Sequence, residues 1–288
     1  MSNKDLLENI KKLREITGVG FKDCKSALDE TKGDIEKSIE FLRKKGIAKA
    51  SKKMSRISSE GLVLATKREG NISIIEINSE TDFVAKNKEF ITFCKELSDL
   101  NFTNKGDIEK LNDTKMSNNI TVKENLINLI AKIGEKIIIR RANFFDNSNG
   151  FNFHYVHSAL EKNIGKIISV VKIDGIIEGK NDEVGGKIAM HIAASSPLAL
   201  NVEDIDKNIV DKELEIIKEE VKNSGKPKDM IEKISKGKLS KFLNDNSLMN
   251  QIWIMDPKKK VVDVLKENSK GKDIKILDFI RYKVGEGV

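Results

Sequence analysis

Along the first 46 residues, apolar positions recur at three- and four-residue steps. Leu6, Leu7, Ile10, Leu13 and Ile16 mark one helical face, which Gly18 is expected to end. A "TGVGF" turn leads to a short helix carrying Cys24, Ala27 and Leu28 and stopping near Gly33. Asp34 is suited to cap a third helix, with Ile35, Ile39 and Leu42 inward and Gly46 closing it. Residues 1–46 thus read as an N-terminal three-helix domain of UBA-like type. Residues 47–59 read as a basic linker.

From Gly61 the period shortens to two. "GLVLATK" and "NISIIEIN" flank "REG", which predicts a β-hairpin turning at Gly70. A helix is expected from about Asn87, with Phe90, Ile91, Cys94 and Leu97 apolar, then a polar loop over roughly 101–119. Thr121 and Glu124 form a capping box ahead of Leu126, Leu129, Ile130 and Ile133, and "KIIIRRANFF" follows as a strand. The order then repeats. "FNFHYVH" and "GKIISVVKID" read as strands, "NDEVGGKIAMHIAAS" as a helix stopped by Pro197, "VVDVLKE" as a helix and "ILDFIRYKV" as a strand. Two strands, a helix and a strand, twice over, predict an α+β core of two subdomains, 60–146 and 147–288, with antiparallel sheets.

Inside the second copy, Val210, Leu214, Ile217 and Val221 step by four, three and four. After "NSGKPKD", with Gly225 as C-cap and Pro227 near the next start, Ile231, Ile234, Leu239 and Phe242 form a return seam. This predicts an inserted antiparallel coiled-coil hairpin at about 209–244, either a projecting contact device or a neutral insertion.

Composition narrows the class. The 288 residues are 39% hydrophobic and 34% charged, with no run long and apolar enough to span a membrane and no apolar N-terminal leader segment. Cys24 and Cys94 sit in separate helical patterns, outside any CxxC, which predicts buried free thiols in a reducing compartment, the cytoplasm. The net charge of +7 raises a nucleic-acid reading. Most lysines, however, alternate with acids. Only Arg43 to Ser59 is basic without acids, through Arg43, Lys44, Lys45, Lys49, Lys52, Lys53 and Arg56, and no aromatic is interleaved for base stacking. Nucleic acid is therefore not the expected partner. An RNA- or ribosome-binding protein using that segment stays as the alternative.

Catalytic and nucleotide motifs are missing. There is no GxxxxGK[ST], and Gly185-Gly186-Lys187 lacks both the upstream glycine and the hydroxyl residue. HExxH, GxSxG and a strand-following GxGxxG are also absent. His154 and His157 fall on opposite faces of one strand, a poor metal pair, and His191 lies in a helix as a packed residue. No cofactor, metal, catalytic residue or direct nucleotide binding is expected.

What stands out is "NSETDFVAKN" at 78–87, where a strand ends on a carboxylate beside an aromatic, Asp82-Phe83, between Thr81 and Val84. It reads as a capped helix start that buries its aromatic, or as a wedge offered to another protein. Here a resemblance enters. "LREITGVGFKDCKSAL" (13–28) and "EINSETDFVAKN" (76–87) are similar to the two signature regions of the translation elongation factor Ts family. "KIGEKIIIRR", "HIAASSP", "SGKPKDMIEKI" and "FIRYKVGEG" match it in the same order.

The resemblance implies an N-terminal helical domain, a two-subdomain core and an inserted hairpin. It also implies a guanine-nucleotide exchange factor, not an enzyme, whose partner is elongation factor Tu. It assigns Thr81, Asp82, Phe83 and Val84 to the wedge that loosens the partner's Mg²⁺ and phosphate site. Arg14, Phe21, Lys22, His157, Ile254 and Met255 match further contact positions. Two departures go with it. Lys22 replaces a usually apolar residue, and the chain stops at "GEGV" where family members often continue, which implies a smaller interface.

Overall fold

The computed structural model describes residues 3–17, 19–175, 181–222, 228–269 and 274–288. The expected stops at Gly18 and Gly225, and the expected helix start near Pro227, lie outside the described residues. Helices α1 (Asn3–Thr17), α2 (Phe21–Glu30) and α3 (Ile35–Ser51) pack around Ile10, Leu13, Cys24, Ala27, Leu28 and Leu42. Asp34 caps α3 by accepting the Lys37 N–H at 3.0 Å. Leu7 and Ile16, expected inward, are instead exposed, because a small bundle covers only part of each helix.

Nor does α3 stop at Gly46. It continues to Ser51, taking in the first part of the basic segment. Gly46 is buried against helix α7 (Val122–Ile133), where an added Cβ would lie 3.5 Å from Ala131 and 3.8 Å from Ile127. The glycine thus marks a close helix crossing, and its propensity cost of about 1 kcal/mol is offset by that packing.

The core opens with β1 (Glu60–Arg68) and β2 (Asn71–Ser79), paired antiparallel. Their two-residue turn, Glu69 and Gly70, has both φ angles positive, the geometry that matches strand twist. Then come α4 (Asp82–Ala85), α5 (Lys88–Thr103) capped by Asn87, α6 (Ile108–Asp113), α7 and β3 (Ile137–Phe145). Helix α6 occupies the expected polar loop. It is anchored by buried Leu111 and capped by Asp107, too short for a periodic signal. The Thr121–Glu124 capping box forms as expected.

The second half follows as β4 (Phe151–Glu161), β5 (Ile164–Asp174), α8 (Asn181–Ser195), α9 (Lys207–Lys222), α10 (Lys228–Asn246), α11 (Val261–Ser269) and β6 (Lys275–Lys283). In each half the second strand is central, flanked by the first and third. The two expected sheets are one. Val63 and Leu64 of β1 pair with Gly165 and Ile164 of β5, on the edge that β6 uses further along. The resulting six-stranded antiparallel sheet curls. Leu62, Leu64, Ile75 and Ile77 face α4–α7, while Val63, Ala65, Ile72, Ile74, Ile168, Val170 and Tyr282 meet inside the curl. Both faces are buried, so β1 and β2 read as nearly continuous apolar runs.

Inside the curl sits a charge. Glu76 is fully buried and takes hydrogen bonds from Arg140 at 3.0 Å, Arg141 at 2.5 Å, Asn78 at 3.1 Å and the Gly285 amide at 2.9 Å. Arg141 also stacks on Tyr282, 4.1 Å from the ring centre. On the other half, Gly185 lets α8 approach the sheet, since a Cβ there would overlap the Phe153 ring. That close packing accounts for Gly185, while a Cβ on Gly186 would meet nothing within 4 Å. Helices α9 and α10 pack on each other, with Ile217 and Val221 buried, and among the described residues α10 meets the rest mainly at the short turns 202–204 and 248–250.

Candidate functional site

The end of β2 delivers Thr81, Asp82, Phe83 and Val84 onto α4, a single helical turn. A turn this short has no stability of its own, so its position comes from outside. Val84 and Ala85 are buried and root it in the core beneath β1 and β2. Phe83 points the other way and is 80% exposed. Asp82 pairs with Lys86 one turn on, at 2.8 Å. The hydrogen bond from Lys86 holds the Asp82 carboxyl below its ordinary range, so the two form an ionised pair on the tip at neutral pH.

Thr81 is the N-cap of α4, yet its hydroxyl makes no capping bond. Instead Glu135 accepts the Thr81 N–H at 3.0 Å and the Thr81 hydroxyl at 2.7 Å. Ser79 donates to the Thr81 carbonyl at 3.0 Å. Next door, Glu80 accepts the Lys136 N–H at 2.5 Å and the Arg56 guanidinium at 3.3 and 3.4 Å. Glu80, Glu135 and Lys136 escape sequence reasoning. Their one visible signal is an acid directly after Gly134, the left-handed C-cap that turns the chain out of α7.

The other predicted contact residues stand on separate elements, all exposed. Arg14 lies in the last turn of α1, and Phe21 and Lys22 open α2. His157 lies on β4, with its Nδ1 3.5 Å from the Tyr155 hydroxyl. Ile254 and Met255 are each 42% exposed, so neither is a core residue. Their turn is held from below by buried His191, whose Nδ1 accepts the Ile254 N–H at 3.4 Å and whose ring stacks on Trp253 at 5.1 Å. With Nδ1 accepting, Nε2 donates to Gln251 at 3.0 Å, which makes His191 neutral. Burial keeps it so, pushing its pKa down.

No described pocket gathers these residues. The cleft of about 700 Å³ between α1, α3 and α7 is lined by Ile16, Val19, Leu42 and Ile120, away from Phe83. Among the described residues, no group of three His, Cys, Asp or Glu side chains is placed to hold a metal. Cys24 and Cys94 are buried and unpaired, with burial raising both thiol pKa values. The basic segment is largely occupied within the protein. Arg43 pairs with Glu124, Lys44 with Glu40, Lys45 and Lys49 with Asp23, and Arg56 with Glu80, while Lys53 donates to the Gly134 carbonyl.

An exposed aromatic on a rooted turn is a surface suited to contact with another protein. Residues 80–286 match the family model described as elongation factor TS. Over 287 residues the chain is 40% identical to an elongation factor Ts from Maricaulis maris, covering 97% of this chain and 91% of that protein. It is 41% identical over 284 residues to one from Methylorubrum populi (97% and 92% covered), and 40% identical over 284 to one from Rickettsia prowazekii (97% and 91%).

Proposed function

Since the chain belongs to the elongation factor Ts family, we propose that it is a cytoplasmic guanine-nucleotide exchange factor that binds elongation factor Tu·GDP and promotes GDP release in translation elongation. The observation that carries this reading is Phe83, the most exposed of the large apolar side chains described, held on a turn whose next residues are core. Leaving an aromatic in water gives up burial worth about 2 kcal/mol or more, which a binding partner recovers.

A GTPase holds GDP through phosphate contacts and a Mg²⁺ with strict geometry. Inserting a rigid ring between its helices displaces that geometry without breaking a bond. The exchange factor then favours the nucleotide-free partner, so by reciprocity it weakens nucleotide binding and nucleotide weakens its own. Asp82, ionised beside Lys86, brings an ion pair to the same place. Arg14, Phe21, Lys22, His157, Ile254 and Met255 supply contacts on other faces. No described helix is long and apolar enough to cross a membrane.

The RNA reading is disfavoured by the internal pairing of the basic segment, because counterion release needs free cations. One experiment separates the two: stopped-flow release of a fluorescent GDP analogue from elongation factor Tu. Release accelerated by micromolar protein, with modest salt dependence and no nucleotide turnover by the protein alone, supports exchange. Unchanged release rejects it, and steep salt-dependent RNA binding would put the alternative in its place.

A further inference from the structure

We infer that Glu135 is a positioning residue for the exchange tip, and that with Glu80, Lys136 and Arg56 it forms a clasp that holds Phe83 ready for insertion. The inference rests on the exchange reading above and names residues which that reading does not include.

The clasp is reciprocal. Glu135 caps the backbone of the tip through the Thr81 N–H and hydroxyl, while Glu80 caps the backbone of the opposite segment through the Lys136 N–H. A third segment ties in from the end of α3. Arg56 reaches both Glu80 oxygens, Lys136 Nζ donates to the Arg56 carbonyl at 2.7 Å, and Lys53 donates to the Gly134 carbonyl. Stretches 53–56, 80–81 and 134–136, distant in sequence, are thereby laced together two residues from Phe83.

Two features argue that this lacing serves the tip. First, α4 has no side-chain cap of its own, because the Thr81 hydroxyl is spent on Glu135. Second, Val84 and Ala85 root the turn from below but leave its approach from β2 free, and the clasp fixes that approach. With both ends fixed, the ring is ordered before it meets a partner, so insertion does not carry the entropy cost of ordering it. Because Lys53 and Arg56 lie on the chain leaving the N-terminal helices, the clasp also links those helices to the tip.

The test compares Glu135→Ala, Glu135→Gln and Thr81→Val with the wild type in the GDP-release assay, titrating each protein to saturation. Glutamine preserves both bonds, since its carbonyl accepts the Thr81 N–H and its amide donates to the hydroxyl. The expected result for Glu135→Ala is a maximal release rate lower by about five- to tenfold, with a half-saturating concentration within about threefold of wild type. The Gln variant should recover to within about twofold, and Thr81→Val, which keeps the side chain's size, should fall between. Amide hydrogen exchange on the free proteins supplies a readout independent of the partner. The Thr81 amide should be protected in wild type and Gln, and exposed in Ala.

A Glu135→Ala protein that exchanges GDP like wild type overturns the inference, as does a Gln variant no better than Ala. If Glu135→Ala does not fold, the decision passes to Thr81→Val, and wild-type rates there overturn it. A wild type that never accelerates release refutes the exchange reading itself, while amide protection still reports whether the clasp exists.

Discussion

Phe83 and Val84 are neighbours on one helical turn and face opposite ways, 80% exposed and 6% exposed respectively. Phe83→Ala should therefore leave the melting temperature of the free protein nearly unchanged, within about 0.5 kcal/mol of stability. Val84→Ala should cost about 1–3 kcal/mol through lost burial and a cavity. In complex with elongation factor Tu the order reverses. Loss of the Phe83 ring should weaken affinity by about 2–4 kcal/mol, tens to hundreds of fold. Thermal melts paired with titration calorimetry check both halves, and a large melting drop for Phe83→Ala would place the ring in the core and end the wedge reading.

Glu76 is a fully buried charge, and its removal leaves two half-buried guanidinium groups without their carboxylate, each keeping only a backbone carbonyl as acceptor. Glu76→Ala should cost about 3–5 kcal/mol, or on the order of 10 °C in melting temperature. Glu76→Gln, which still accepts a hydrogen bond, should cost less. Differential scanning calorimetry of the two variants measures the gap.

Among the described residues, α10 meets the body mainly at its short 3-10 turns. Replacing residues 209–244 with a short flexible link should leave a cooperative transition within about 5 °C of the parent. Collapse of the transition would show that Ile217 and Val221 serve the main core.

Two imidazoles set an acid limit. Burial holds His154 and His191 below the ordinary histidine pKa, so as pH falls the unfolded chain binds protons first. Their contribution is intact above about pH 6.5 and declines below it, by up to about 1.4 kcal/mol per pH unit for each. A protonated His191 would also turn a second donor towards the Ile254 N–H. Urea melts between pH 7.5 and 5.5 should show falling stability, with a shallower slope for His191→Gln. A flat profile would contradict the buried neutral ring.

What the sequence displayed was what short-range chemistry encodes. The Glu69-Gly70 turn, the Asp34 cap and the Thr121–Glu124 box each close within a few residues, and each formed where expected. Gly46 misled because a glycine that ends a helix and one that lets two helices touch look alike until Ala131 is placed beside it. The single sheet was hidden because the β1–β5 junction is only two residue pairs long and its partners are about a hundred positions apart. At the site, the motif pointed to Thr81 to Val84 by resemblance alone. It could not disclose Glu135, whose role exists only once residues 54 positions apart have met. Exposure of Phe83 was equally illegible, since periodicity says nothing about a one-turn helix.

The Gly285 amide completes the shell of Glu76 from 209 positions away. That separation bears on kinetics. A contact of such range closes a very large loop, and topologies rich in them fold slowly, since entropy is surrendered before the contact forms. While the protein is being synthesised, β1, β2 and β3 emerge with Glu76 and its arginines in place but without this donor. The first half-sheet therefore stays incompletely satisfied until residue 285 is available, and closure of the curl is expected to be a late event.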